Sequence, residues 1–346
     1  MYKNTNQIGV RVEILRNGGV YTVIEPYTAP EVQMIASSAL KMSMRGRFYE
    51  PEKDIRWLTD RIRPILIING EEYPVGMFIG TTPKRMTIGG KRILQLEAYS
   101  VLYLAQRATA EPGYTIPAGT NYIGAAQEIL MLSGIMPYEA EGIEKYTLYD
   151  KADWQNGTKN LNIVNDLMAE INYRDAYPDL HGVVHLKRYR RTTADDITIT
   201  YRKGEYSIIA GDPQVTTDYF DKANVFRAVC SSPDFPEPLV AEVVNDDPNS
   251  PYSTANLGVR IMEIKEVESV PDYETLQEIA ADMLYQSKQT TEAIEYKTAL
   301  NPVHSVYDVV ALDLETETGI FVETEWRMIL DASGEMTHKA ERVIFG

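Results

Sequence analysis

The chain has 346 residues, with 34 Lys+Arg against 50 Asp+Glu for a net charge of −16, and is 44% apolar and 24% charged. That length supports two or three domains of about 100–200 residues, each able to bury a core, and the composition is ordinary for a soluble globular protein. The single cysteine, Cys230, excludes an intramolecular disulfide and a cysteine-based zinc site; no apolar run approaches the roughly 20 residues that span a bilayer, and Met1-Tyr2-Lys3-Asn4-Thr5 does not begin a secretory signal.

The 23 tyrosines against 7 phenylalanines favour half-buried strands and wide protein contacts. Residues 10–15 and 20–24 alternate apolar and polar around Asn17-Gly18-Gly19, which predicts a hairpin. Alternation over 32–47 favours one long strand with Lys41, Arg45 and Arg47 on one face; a short helix followed by a strand is the alternative. Residues 51–62 are polar around Trp57 and predict a loop or short helix. Residues 63–104 predict a three-strand meander. Its first run, Pro64-Ile65-Leu66-Ile67-Ile68, stops at Asn69-Gly70, the strongest short hairpin signal because both central residues of a type I′ turn need positive φ. The next run carries Pro74 and Gly76 and should be an edge or bulged strand. The third, 84–88, turns at Gly89-Gly90 into 92–99. Such a sheet needs a partner sheet or closure, so 1–107 reads as one β-barrel-like domain or small sandwich.

After Gln106 the texture changes. Glu111-Pro112-Gly113 signals a linker. Ile123, Ala126, Ile129 and Leu130 place a helix over 121–133 with Gly134 as its stop, and Leu161, Val164, Leu167, Met168 and Ile171 place another over 160–171, with 154–158 supplying a turn and a side-chain cap. Strands follow at 182–186 and 197–201, so 108–213 reads as a small α+β connector. From 215 the chain is β-rich again. A hairpin of 223–230 and 239–244 crosses a Pro-rich turn, and a strand at 259–264 precedes a helix over about 272–288. Asp272 caps that helix; Leu276, Ile279, Ala280, Met283 and Leu284 form its apolar stripe. Strands at 293–298, 307–312, 319–330 and 336–344 complete the region, the last two joined by a loop at Asp331-Ala332-Ser333-Gly334. The expected fold is α+β, mostly β: two β-barrel-like domains (1–107 and 214–346) flanking the connector, the second carrying one amphipathic helix.

Charge is uneven. Residues 1–107 hold 15 Lys+Arg and 10 Asp+Glu, 108–213 hold 10 and 15, and 214–346 hold 9 and 25. The acidic third argues against nucleic-acid binding there, because phosphate contacts need Lys and Arg. The surplus maintains solubility, or it meets the basic block of a second subunit.

No catalytic, cofactor-binding or metal-ligating set emerges. His181 and His185 share a strand face with Asp175 and Asp179 nearby, a half-site at most, since zinc takes three or four ligands; surface or packed positions are expected for them and for His304 and His338. Asp195-Asp196, Asp246-Asp247 and the acids of 313–325 lack a tuned partner. Nucleophile elbows and phosphate loops are absent. Lys187-Arg188-Tyr189-Arg190-Arg191 is a basic cluster more suited to pairing with the acidic third than to nucleic acid.

Asp221-Lys222-Ala223-Asn224-Val225, then Ser250-Pro251-Tyr252, Leu257-Gly258-Val259-Arg260, the Asp272 helix with Ala280-Ala281, Asn301-Pro302, Tyr307-Asp308-Val309-Val310, Trp326 and Gly334-Glu335-Met336 form a succession that resembles the baseplate hub proteins of phage tails, the late control protein D family. Trp154-Gln155-Asn156-Gly157, Asp179 and Gly182 are similar to its middle domain, and Leu58-Thr59-Asp60-Arg61-Ile62 with Tyr73-Pro74-Val75-Gly76-Met77-Phe78 to the first domain of hubs in Gram-positive-type tails. Where the family usually carries Gly-Asp, this sequence has Tyr307-Asp308. The resemblance implies a non-enzymatic homotrimer presenting six quasi-equivalent domains, matched to a six-fold tail tube above and a three-fold spike or tip below. Its partners would be itself, the tube, distal tail proteins, the spike or tip and the tape-measure protein, without cofactor, specific nucleic acid or membrane span. The location implied is a virion tail assembled in the host cytoplasm. A lumen whose acidic side chains repel passing DNA is a further expectation. The alternatives are a cell-wall hydrolase of the tail tip and a receptor- or glycan-binding tail-tip module.

Overall fold

The computed structural model describes residues 7–344 except 137, 143–146, 149–151, 205–206, 232–236, 268–269, 271 and 290. The first strands are β1 (Ile8–Arg16), β2 (Gly19–Ile24), β3 (Pro26–Ile35), β4 (Met42–Tyr49), β5 (Arg61–Ile68), β6 (Glu71–Pro74), β7 (Phe78–Gly80), β8 (Lys84–Ile88) and β9 (Lys91–Ser100). Two-residue turns at Asn17-Gly18, Asn69-Gly70 and Gly89-Gly90 have positive φ at both positions and join strands paired immediately outside them. That backbone twist matches the twist of the flanking strands. The run 73–79 is divided, because Gly76 sits at φ +108 where a Cβ would lie 2.6 Å from the Phe78 ring; β6 is an edge strand on β5.

The stretch 32–47 is not one strand. β3 and β4 pair with each other, Met34 opposite Met42, and the chain reverses between them. Lys41 closes that reversal at φ 58, and its Nζ donates to the carbonyl of Ala36 at 2.7 Å and to Asp175 at 3.1 Å. Alternation persists across the reversal because both strands alternate. No Asn-Gly pair marks the turn, and Lys41 sits in it rather than on the strand face with Arg45 and Arg47.

The middle region comprises α1 (Tyr103–Arg107), β10 (Thr115–Ile116), α2 (Tyr122–Leu132), β11 (Tyr138–Ala140), β12 (Ala152–Asp153), α3 (Asn160–Glu170), β13 (Tyr177–Pro178) and β14 (Val184–Leu186). Asn121 caps α2 by accepting from the Gly124 N–H, and Gly134 follows the helix at φ 79. α3 starts at Lys159 without a side-chain cap; the Thr158 hydroxyl donates instead to the Gln155 carbonyl. Ile129, Leu130, Leu161, Val164 and Leu167 bury the facing stripes of α2 and α3 in one core.

The last region comprises β15 (Ile197–Arg202), β16 (Gln214–Thr217), β17 (Val225–Cys230), β18 (Leu239–Val244), α4 (Thr254–Leu257), β19 (Met262–Val267), α5 (Tyr273–Gln289), β20 (Glu292–Ala299), β21 (Val309–Asp313), β22 (Thr318–Ile329) and β23 (Glu335–Arg342). β17 pairs antiparallel with β18 and parallel with β19 in a separate three-stranded sheet; the Pro-rich turn between β17 and β18 lies outside the described residues. Asp272 accepts from the Thr275 N–H and hydroxyl at the start of α5, and Leu276, Ile279 and Ala280 pack on Ala228, buried Cys230 and Ala241 of that sheet. The helix therefore covers the small sheet, while β20–β23 belong to a larger one. No helix is long and apolar enough to cross a membrane among the described residues.

The large sheet runs β16-β20-β23-β22-β3-β4-β9-β7-β5-β1-β2, with β21 on β22, β15 parallel to β21, β6 on β5 and β8 on β9. The path is open between β16 and β2, and no barrel closes among the described residues. Its middle is the antiparallel pairing of β22 with β3, Trp326 opposite Met34 and Met328 opposite Val32. One core crosses this seam: Val32, Met34, Trp326, Met328 and Met336 pack with Phe48, Leu66 and Phe78 of the first region. Trp326 is fully buried.

Trp326→Ala should cost about 3–5 kcal/mol by emptying that seam. In denaturant titrations, Trp57 fluorescence from the first region should move to the same lower midpoint as far-UV circular dichroism; an unmoved Trp57 transition would show that the core is not shared. Asp60, nearly buried, accepts both Nε and Nη2 of Arg16 and the Arg56 N–H, which holds its carboxyl below the ordinary carboxylate range, with the Arg16 bond the main cause. Its stabilisation is present above the unfolded carboxyl pKa, roughly 3.9, and is lost as pH falls through the lower folded value. Asp60→Asn should lower neutral-pH stability and flatten the acid limb of the stability profile measured by thermal melts.

Candidate functional site

The flagged basic residues separate. Lys41 is buried and committed to Ala36 and Asp175, whereas Arg45 and Arg47 are exposed on β4. Arg45 reaches Glu31 of β3, and Glu31 also takes Arg327 from β22 across the seam. In the basic cluster Arg188 and Arg191 pair with Glu278 and Asp282 of α5, and Arg190 with Glu141. Asn172 donates to the second oxygen of Asp282 at 2.7 Å. The cluster thus ties the middle region to the helix of the last one.

His181 and His185 are not brought together as ligands. His185, on β14, stacks on Tyr177 and lies 3.3 Å from Asp179, which also accepts the backbone N–H groups of His181 and Val183. Asp179 therefore closes the turn at Gly182. A cleft of about 500 Å³ opens where the regions meet, lined by Arg174, Asp175, Tyr189, Lys265, Tyr307 and Glu325. Burial lowers the Lys265 ammonium, and Arg174 lies 4.0 Å over the Tyr307 ring.

The cluster that sequence reading missed is His304, Glu323 and His338, in the interior of the large sheet and at most 1% exposed. β22, β23 and the loop after β20 supply them. A bulge in β22 between Glu323 and Glu325 shifts the register against β23, and such a bulge re-aims side chains. The His338 Nδ1 lies 3.1 Å from the Glu323 Oε1. The Tyr296 hydroxyl donates to the Glu323 Oε2 at 2.9 Å, and the His338 Nε2 meets the Thr298 hydroxyl at 2.9 Å. His304 Nε2 meets the Tyr201 hydroxyl at 2.6 Å, and Asn301 donates to the same hydroxyl. His304 Nδ1 has no hydrogen-bond partner; Glu323 Oε2 and Asp308 Oδ2 each stand 3.9 Å away. Burial pushes the Glu323 carboxyl up to about 8 and Asp308 up to about 7, and lowers His304 to about 4 and His338 to about 3. The sequence offers only an acid and a histidine on apolar strands and a second histidine in a loop, too far apart along the chain to form a spacing motif.

No known protein family and no curated protein matches the sequence. Solved structures do match the fold. The tail protein from Neisseria meningitidis superposes with a TM-score of 0.68 at 12% identity, over 96% of this chain and 97% of that one. The 43 kDa tail protein of prophage MuSo2 from Shewanella oneidensis gives 0.67 at 11% identity, over 96% and 98%. An E. coli component of the type VI secretion system, with structural similarity to the T4 bacteriophage tail proteins gp27 and gp5, gives 0.56 at 8% identity, over 97% of this chain and 76% of that one. The fold of this chain is that of phage tail proteins.

Proposed function

We infer that the chain is a structural hub of a phage tail or phage-like injection machine, a homotrimeric ring of pseudo-six-fold symmetry that joins the hexameric tail tube to the trimeric spike or tip. The observation that carries this reading is the likeness of fold to tail proteins over nearly the whole of both chains. In it, 1–107 and 214–346 supply two barrel-like halves of the shared sheet, 108–213 connects them, and three copies present six halves in a closed ring. The neighbours in the assembly are the tube, distal tail proteins, the spike or tip and the tape-measure protein, within a virion tail assembled in the host cytoplasm.

A contact surface supports the ring. Leu257, Val259, Ile261, Met262 and Ile264 are exposed along and just before β19, one of the two outer strands of its sheet. Apolar side chains on a free strand edge favour association. In this reading the role is non-enzymatic: His304, Glu323 and His338 are sealed in the interior, beyond the reach of a polymeric substrate.

Negative-stain averages of the purified chain should show a three-fold ring with six similar lobes, and a monomer at micromolar concentration would overturn the hub reading. Clearing of cell wall in a zymogram would favour the hydrolase instead. If the basic face of β4 meets the acidic region of the next copy, Arg45→Glu with Arg47→Glu should weaken the ring in sedimentation, more at low salt than at high. Lys41→Glu should behave differently: it sets a carboxylate against Asp175 in a buried position and should lower the melting temperature of the isolated chain.

A further inference from the structure

We propose that His304, Glu323 and His338 form a buried structural site for a divalent transition-metal ion of the zinc class. One ligand atom from each residue lies within 4.8 Å of the others, and all three side chains are closed to solvent. Two imidazoles and a carboxylate are a donor set for zinc, iron, cobalt or nickel and a poor one for calcium or magnesium, which take oxygen.

The hydrogen-bond ledger carries the argument. The Thr298 hydroxyl donates its proton to the Ala299 carbonyl at 2.7 Å, so it accepts from the His338 Nε2–H. The His338 Nδ1 of a neutral ring is then a lone pair facing the Glu323 Oε1. A proton on Glu323 satisfies that contact, while the Tyr296 hydroxyl satisfies the other oxygen. It leaves the His304 Nδ1 without a partner in a fully buried position, which is unfavourable. A cation in place of that proton satisfies all three groups together, with the His304 Nε2–H donating to the Tyr201 oxygen.

The dimensions agree. Metal–ligand distances of about 2.0–2.2 Å in a tetrahedral site put ligand atoms roughly 3.3–3.6 Å apart. The His338 Nδ1 stands 3.1 Å from the Glu323 Oε1, the His304 Nδ1 stands 3.9 Å from the Oε2 of the same carboxylate, and one atom of each residue lies within 4.8 Å of the others, so side-chain rotation has to draw the three together around an ion. Asp308 Oδ2, also 3.9 Å from the His304 Nδ1, is the next oxygen within reach. Thr298, Tyr201 and Tyr296 hold the outer atoms of the three ligands, the arrangement that orients metal-binding imidazoles. An ion here would tie the loop bearing His304 to β22 and β23. Binding releases the proton held between Glu323 and His338, and because the site is closed, the ion enters as the chain folds.

The full chain, refolded from denaturant with zinc chloride and desalted, should retain about one zinc per chain by elemental analysis, whereas magnesium chloride leaves none. Refolding with cobalt should give visible absorption bands of a low-symmetry, nitrogen- and oxygen-ligated ion. Glu323→Gln copies the protonated carboxyl, so it should fold and retain no metal, and Thr298→Val should weaken zinc binding about 10–100-fold. Wild-type chain that refolds but holds less than about a tenth of an equivalent of zinc, with no cobalt bands, overturns the proposal whether or not the variants fold. Undiminished retention by a folded Glu323→Gln chain overturns it as well.

Discussion

The pairing of β3 with β22 is the constraint on which the remainder of the molecule depends. Main-chain hydrogen bonds join residues from opposite ends of the sequence, and the side chains opposite each other on the seam, Met34 with Trp326 and Val32 with Met328, face the same buried core. Strand edges left unpaired attract other chains, so joining the two edges also removes the largest hazard of each half. The middle region is then fastened to the joined sheet by directed contacts. The Gly76 N–H donates to the Leu180 carbonyl, Lys41 reaches Asp175, and Tyr177 lies in the shared core.

Many of the cations are paired within the chain. Arg11 and Arg63 meet at Glu13, Arg16 holds Asp60, Arg85 and Arg92 share Glu50, and Glu31 takes a cation from each side of the seam. The acidic last region has too few cations of its own and borrows Arg188 and Arg191 from the middle. Pairs with both partners exposed contribute little individually, whereas Glu13 and Asp60 are buried and their pairs matter more. The net charge of −16 remains as a negative field around the chain.

Local signals in the sequence foretold local structure. The Asn-Gly and Gly-Gly turns, the stripes of α2, α3 and α5, the Asn121 and Asp272 caps and most strands of the last region follow from turn chemistry and periodicity. What escaped was non-local. β15, which sequence places in the middle region, pairs with β21, and α5 covers a three-stranded sheet rather than a barrel. The buried His304, Glu323 and His338 come from one loop and two strands and carry no spacing motif. The departure at Tyr307 has a physical reading: its φ of 70 lies in the left-handed region where glycine is comfortable, and the ring is held between Arg174 and Tyr177.

The seam also sets a timetable for synthesis. Met34 and Trp326 are partners across some 290 residues, and closing a loop of that length costs about 5 kcal/mol of chain entropy before any contact repays it. Until β22 leaves the ribosome, β3 has β4 on one side and nothing on the other. A chain interrupted before that point presents an apolar edge that the β22 of another copy fits equally well. The same pairing that completes the fold therefore makes unfinished chains prone to strand exchange, so finishing synthesis is a condition of folding.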